Sequence, residues 1–278
     1  MLRLLSTGFA RMFRSRLFRL GITAAAVFSL LVIAANALFG GGLFDVRHPH
    51  IDDTFFLFSS ACGFFSAVFC SLFIGKKFSE GTIRNEVVAG HTKTRIYLSN
   101  LIVCTAGGWL MYLSYILVQL GVNIPLFGGF RAEIGSVFLS VLCTLLLIAS
   151  FTSVFTLITM LIQNRTTAAI ACILSVLILL PVGSYLCDRL EAQWDYGSYW
   201  MTDDGVIHVS EVNHNPLYVG GKKRVVYTFF RDFLPAGQAI NLAKSDPEDP
   251  WQMALYSTCL VALTDGIGTV LFRRRNLK

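Results

Sequence analysis

The chain has 278 residues, 54% of them hydrophobic and only 14% charged, with a formal net charge of +6 and a positive mean hydropathy of +0.61. A soluble domain carries about 25% charged residues, so this composition excludes one and implies a polytopic membrane protein. The surplus of bases is distributed by loop, as a membrane topology signal requires, and does not mark a nucleic-acid partner.

The first element predicted is amphipathic. Leu2, Leu5, Phe9, Met12 and Phe13 recur at three- and four-residue steps, with arginines on the other faces. That is the pattern of a helix in the headgroup layer with its basic face toward anionic lipid. It reads equally as an anchor or as a lever joined to the first span.

Six apolar runs follow: Leu17 to Phe39, Thr54 to Gly75, Ile96 to Leu120, Ile134 to Ile162, Ala168 to Cys187 and Trp251 to Phe272. Each reaches the roughly 20 residues that a helix needs to cross the hydrocarbon core. Helices are expected to do the crossing, because the runs lack the alternation of a membrane barrel. Ala35-Asn36-Ala37 mimics a signal cleavage site, but the run before it exceeds a signal core, so the first span is expected to stay.

Sorting charges by loop places Arg3, Arg11, Arg14, Arg16, Arg19, Lys76, Lys77, Arg84, Lys93, Arg95, Arg165, Arg273, Arg274, Arg275 and Lys278 on one side. Only Glu80 and Glu86 oppose them there. Both termini are therefore expected in the cytoplasm.

Between the second and third runs lies a polar strip, Lys76 to Arg95, whose centre reads as one or two turns of helix. Thr82 is placed to cap it, Ile83, Val87 and Val88 form an apolar face, and Gly90 stops it. So short a helix is marginal alone in water, so a partner protein is expected to grip it. Ile83 and Val87 suit a pocket on that partner, with Arg84, Lys93 and Arg95 orienting the contact through charge.

Within the second run, Ser59, Gly63, Ala67 and Ser71 make a stripe of small residues that permits close helix approach, within the chain or between two copies. The seven cysteines, all in or at the ends of spans, lack paired spacing and read as packing residues. His48, His50, Asp52 and Asp53 lie close together around Pro49, which reads as a solvated turn before a metal site. No metal is expected.

The segment from Asp188 to Pro250 is the only sizeable stretch between runs. Val206 to Val212 alternates like a strand after Asp204-Gly205, and Leu217 to Tyr227 reads as a hairpin about Gly220-Gly221. Phe229 to Ala243 then reads as a short amphipathic helical element interrupted at Pro235. Asp265 stands inside the last run, about 12 Å from its cytoplasmic end at helical rise. A carboxylate there is costly unless it faces protein or water, so it is a candidate for a translocation path or for a hydroxyl-satisfied helix contact.

GxxxxGK[ST] occurs nowhere in the chain, and Gly40 to Gly42 and Gly107-Gly108 lack the strand-to-helix context of a phosphate cradle. No catalytic constellation and no cofactor site is visible. Powered work would need a separate motor.

Three stretches carry a family likeness. F-S-E-G-T-I-R-N and A-G-H-T-K-T-R-I-Y-L-S-N, within Phe78 to Asn100, resemble the first cytoplasmic loop and third-span start of bacterial type-2 ATP-binding-cassette exporter permeases. R-D-F-L-P-A-G-Q, Arg231 to Gln238, and L-F-R-R-R-N-L-K, Leu271 to Lys278, extend the likeness. The resemblance implies a single all-α permease domain over residues 1–278. It has six spans, an interfacial N-terminal helix, a cytoplasmic coupling helix and an extracytoplasmic segment at 188–250, in a bacterial cell membrane.

It implies also a second permease chain, as homodimer or heterodimer, and a cytoplasmic ATPase subunit that holds ATP and magnesium. On this chain the ATPase-docking loop falls on Glu80, Gly81, Thr82, Ile83, Arg84, Asn85, Val87, Gly90, His91, Thr92, Lys93, Thr94 and Arg95. Peptides, antibiotics, lipids and glycans are all cargoes of such exporters. Two other classes fit the composition: a membrane enzyme acting on lipid, and a sensor or immunity module whose outer segment binds a ligand.

Overall fold

In the computed structural model, residues 1–38, 51–196, 199–201, 207–209, 213–244 and 249–275 are described. Gly40 to Gly42, His48, His50, the Asp204-Gly205 turn, most of the alternating 206–212 stretch and the last three residues lie outside them. Helix α1 (Leu2–Arg14) ends at Ser15, whose hydroxyl accepts from the Phe18 amide at 3.1 Å and so opens α2 (Arg16–Leu38). A single turn, α3 (Asp52–Phe55), leads into α4 (Phe58–Ser79), and α5 (Thr82–Val88) follows. Next comes α6 (Lys93–Val118), extended by a π turn at Gln119–Asn123 and by α7 (Ile124–Phe127).

Helices α8 (Ile134–Ile162) and α9 (Arg165–Glu191) are joined by a tight turn. Gln163 there adopts a left-handed φ of 63°, and the Asn164 side chain caps α9 by accepting from the amides of Thr166 and Thr167. After α9 come two short antiparallel strand pairs, β1 (Asp195–Tyr196) with β4 (Asn213–His214), and β2 (Tyr199–Met201) with β3 (Ile207–Val209). The chain closes with α10 (Gly221–Phe233), α11 (Pro235–Ala243) and α12 (Pro250–Arg274).

Among the described residues, six helices are long and apolar enough to cross a membrane: α2, α4, the α6 rod, α8, α9 and α12. The protein is an all-helical, multi-pass membrane type with a small irregular segment between α9 and α10. Helix α4 sits at the centre, against α6, α8, α9 and α11. Its small-residue stripe is buried inside this one chain: a Cβ on Gly63 would touch the Phe151 ring of α8 at 3.2 Å and Val176 of α9 at 3.4 Å. The stripe therefore serves packing within the chain.

Two expectations need correction. The hairpin at Leu217 to Tyr227 is not formed, because Gly220 is the extended residue before a helix and α10 runs through Gly221–Phe233. Val225, Val226, Phe229 and Phe230, which look strand-like in sequence, recur at helical steps and form an exposed apolar face. The inward stripe of α1 is also rotated from its sequence reading. Leu4, Gly8 and Met12 are buried, while Leu2 and Phe13 are exposed, because Gly8 lets the helix approach Val103 of α6.

Between α10 and α11 the chain turns back into the bundle at Leu234-Pro235. Proline fits the first turn of α11, where no amide partner is needed. The Gln238 side chain donates to the carbonyls of Asp232 (2.6 Å) and Met253 (3.3 Å) and accepts from Ser257 (2.6 Å). The Asp232 carbonyl, freed by the break, is thus satisfied in an apolar setting, and the same amide reaches α12 at Met253. Arg231 and Asp232, both buried, pair side by side at 2.8 Å.

A Cβ on Gly237 would lie 2.2 Å from the Arg231 carbonyl oxygen, whereas one on Gly221 meets nothing within 4 Å. Gly237→Ala is expected to lower stability by about 3 kcal/mol, the upper range for overpacking. Gly221→Ala should cost about 1 kcal/mol, from its left-handed φ alone. Thermal unfolding of the two variants in detergent checks the order.

Candidate functional site

The strip between α4 and α6 folds as expected in outline and differs in its cap and its facing. Gly81, at φ 67°, precedes α5, and Thr82 makes no capping hydrogen bond, so the glycine and not the threonine sets the start. At the other end Gly90, at φ 86°, donates to the Val87 carbonyl while the His91 amide donates to Glu86. That pair of bonds is a Schellman stop, which requires the left-handed residue that glycine supplies. Thr92, in extended conformation, then begins α6.

What fixes α5 in place is a buried amine. Lys77, in the last turn of α4, is 5% exposed and forms an ion pair with Glu86 of α5 at 2.9 Å. Its Nζ also donates to Asn100 Oδ1 of α6 at 2.8 Å. Three helices converge on one charge.

Ile83, Glu86 and Val87 consequently face inward, at the i, i+3, i+4 positions of one helix face. Ile83 is 1% exposed within the chain's own core, so the expected insertion of this side chain into a partner pocket is corrected. Val87 is half-buried on the same face. The outward face carries Arg84, Asn85 and Val88, the last 81% exposed, flanked by exposed Glu80, Gly90 and Arg95. Gly81, His91 and Thr94 are half-buried at its edges.

Lys93 is also used inside the molecule. Its amine donates to the carbonyls of Arg275 at 2.7 Å and Arg273 at 3.3 Å, holding the start of α6 to the end of α12. An ammonium there complements the negative end of α12. Lysines counted as loop charges in the sequence are thus partly structural.

Asp265 lies on α12, half-buried, and accepts from the Ser153 hydroxyl of α8 at 2.7 Å. Ser153 also bonds Thr264. Nearby, Gly268 lets the buried Tyr97 ring of α6 pack against α12, and the Tyr97 hydroxyl is enclosed without a hydrogen-bond partner among the described residues. The carboxylate therefore sits at a three-helix contact among α6, α8 and α12, one of the two arrangements its sequence position allowed. Asp265 and the α5 face belong to different clusters.

Sequence reasoning missed Lys77, Asn100, Ser153 and Tyr97. Lys77 gave a signal, as a base continuing an apolar run; Tyr97 and Asn100 fell within the stretch that carries the family likeness but had no role assigned, and nothing marked Ser153. No family model and no curated protein matches the chain.

Lys77→Met removes the partner of Glu86 and leaves a carboxylate in a largely enclosed position, whose second oxygen already lacks a partner. A loss of about 3 kcal/mol is expected, typical of breaking a buried pair. Adding Glu86→Gln to Lys77→Met should recover much of it. Thermal unfolding of both singles and the double gives the coupling, and independent, additive losses would refute the pair.

Proposed function

We propose that this chain is the membrane-spanning permease subunit of an ATP-driven exporter of the type-2 ATP-binding-cassette kind, set in a bacterial cell membrane with both termini in the cytoplasm. It pairs with itself or with a similar chain. A separate ATPase subunit holds ATP and magnesium and closes on nucleotide, and the exported substrate is one of the peptide, antibiotic, lipid or glycan classes.

The observation that carries this reading is α5. A seven-residue helix between two long helices is bounded by two left-handed glycines and tied by Lys77 to α4 and α6, with Arg84, Asn85 and Val88 pointing away from the bundle. A loop that served only topology would need positive charge and no such clamp. A helix braced on two spans and apolar at its outer centre is what passing displacement from a bound subunit requires. The contact is made by Arg84, Asn85, Val88 and Arg95, with Ile83 acting from inside as the packing support. Alternating access then follows as the spans shift between two arrangements.

Arg84→Glu with Val88→Glu leaves the buried face intact. It should abolish co-purification of a P-loop ATPase, or leave the complex assembled with hydrolysis uncoupled from transport, at least tenfold down. Normal transport in that variant would refute the docking face, and turnover by the isolated chain would favour a membrane enzyme.

Asp265→Asn keeps an oxygen to accept from Ser153 and removes the charge. Transport is expected to fall severalfold with insertion and unfolding temperature unchanged. Transport at the parent rate would remove the charge from the mechanism.

A further inference from the structure

Beside the α5 clamp, at the same end of the bundle, lies an open cavity of about 710 Å³. Six bases line it: Arg11, Arg14 and Arg16 from α1 and the start of α2, Lys76 and Lys77 from the end of α4, and Arg165 from the start of α9. No carboxylate lines it among the described residues. Lys77 is neutralised by Glu86 and Lys76 reaches exposed Glu80 at 3.5 Å, but Arg11, Arg14, Arg16 and Arg165 form no ion pair among the described residues.

The convergence is built into the fold. Gly75 allows it: a Cβ there would lie 2.9 Å from the backbone of Arg165, so only glycine lets the start of α9 come this close to α4. The bend at Ser15 turns Arg14 and Arg16 onto the same cavity from two different helices. Two helix starts, α2 at Arg16 and α9 at Arg165, also bring their positive ends to its wall. Arg11, Arg14, Arg16 and Arg165 are exposed, so water and salt screen their mutual repulsion, and together they hold a positive potential that draws anions to the cavity.

We infer that this cavity binds a phosphate group bearing two or more negative charges, carried as a phosphomonoester or diphosphate on a lipid headgroup or on a soluble molecule. Four uncompensated guanidiniums exceed what a single phosphodiester charge answers, and guanidinium forks match phosphate oxygens in pairs. The volume falls within the range of small-molecule sites and holds a headgroup. Leu17 and Phe73 supply an apolar wall, suited to the first carbons of a lipid chain. Because Lys77 serves both the cavity and the α5 clamp, occupancy bears directly on the strip. The site does not depend on the chain being a permease.

Native mass spectrometry of the full chain in detergent tests the assignment, with phosphatidic acid, phosphatidylglycerol, phosphatidylcholine and inorganic pyrophosphate as probes. Phosphatidic acid should bind about tenfold or more tightly than phosphatidylglycerol, corresponding to one charge-assisted contact. The triple variant Arg14→Gln, Arg16→Gln, Arg165→Gln should lose that preference, and the corresponding triple lysine variant should keep most of it at an unchanged unfolding temperature. Pyrophosphate binding that is lost in the glutamine variant, without preference for phosphatidic acid, supports the phosphate site and assigns a soluble source.

The inference is overturned if the glutamine variant binds all probes like the parent. It is overturned too if Arg273→Gln with Arg274→Gln, outside the cavity, costs as much, since that marks general attraction of anions to a basic surface.

Discussion

A lysine amine enclosed where an apolar helix ends has few places to put its charge, and the organisation of one whole end of this protein follows from how Lys77 solves that problem. Desolvating an ammonium is costly unless an opposite charge and further acceptors surround it. Glu86 and Asn100 provide them from two other helices. Once Glu86 must face α4, the phase of α5 is set. Ile83 and Val87 turn inward with it, and Arg84, Asn85 and Val88 have only the outside left. The outward face is thus a consequence of an inward contact.

The opposite end of the bundle uses the same device with a neutral group. Gln238 reaches across the break at Leu234-Pro235 and holds α10, α11 and α12 together through two carbonyls and one hydroxyl. Small residues make that possible. Ala236, Gly237 and Ala239 let α11 lie against α9 and α4, where the Ser59 hydroxyl donates to the Ala239 carbonyl at 2.9 Å. Lys77, on the long helix α4, ties α5 to α4 and α6, and Gln238, on short α11 itself, ties α11 to α10 and α12.

Length and apolarity made the six long helices readable, because about 30 Å of hydrocarbon imposes a run that no loop imitates. The short helix α5 was readable through its glycine stop, which has a steric cause independent of context. Helix phase was not. In α1 and α5 the sequence offered an apolar stripe that the fold rotates, through Gly8 meeting Val103 and through Lys77 meeting Glu86 and Asn100, contacts made between different helices. The hairpin reading at Gly220-Gly221 failed because a glycine pair marks a turn or a helix start equally well, and here Val225, Val226, Phe229 and Phe230 are exposed at helical steps while Arg231 and Asp232 are buried. Lys77 was read as a topology charge and Lys93 as a charge orienting a partner contact, yet each satisfies a specific group inside the fold. The candidate site was therefore legible as a segment and not as a surface.

The contacts around α6 decide how a displacement at α5 would spread. Asn100 ties α6 to the Lys77 clamp, Lys93 ties its start to the end of α12, and Tyr97 lies between them against Gly268. These three residues span about two helical turns on α6, so α5, α6 and the end of α12 are braced as one block. That block meets α8 at Ser153, Thr264 and Asp265 through α12, and through α6 at the Thr105–Thr152 and Trp109–Leu145 hydrogen bonds. The Tyr97 hydroxyl of α6, buried near Gly268, has no hydrogen-bond partner among the described residues. Coupling between distant sites needs an element with two arrangements, and a rigid block alone has one. At the contact of α12 with α8 the Ser153 hydroxyl answers Asp265, which is how the described structure satisfies a carboxylate that is costly in an apolar helix.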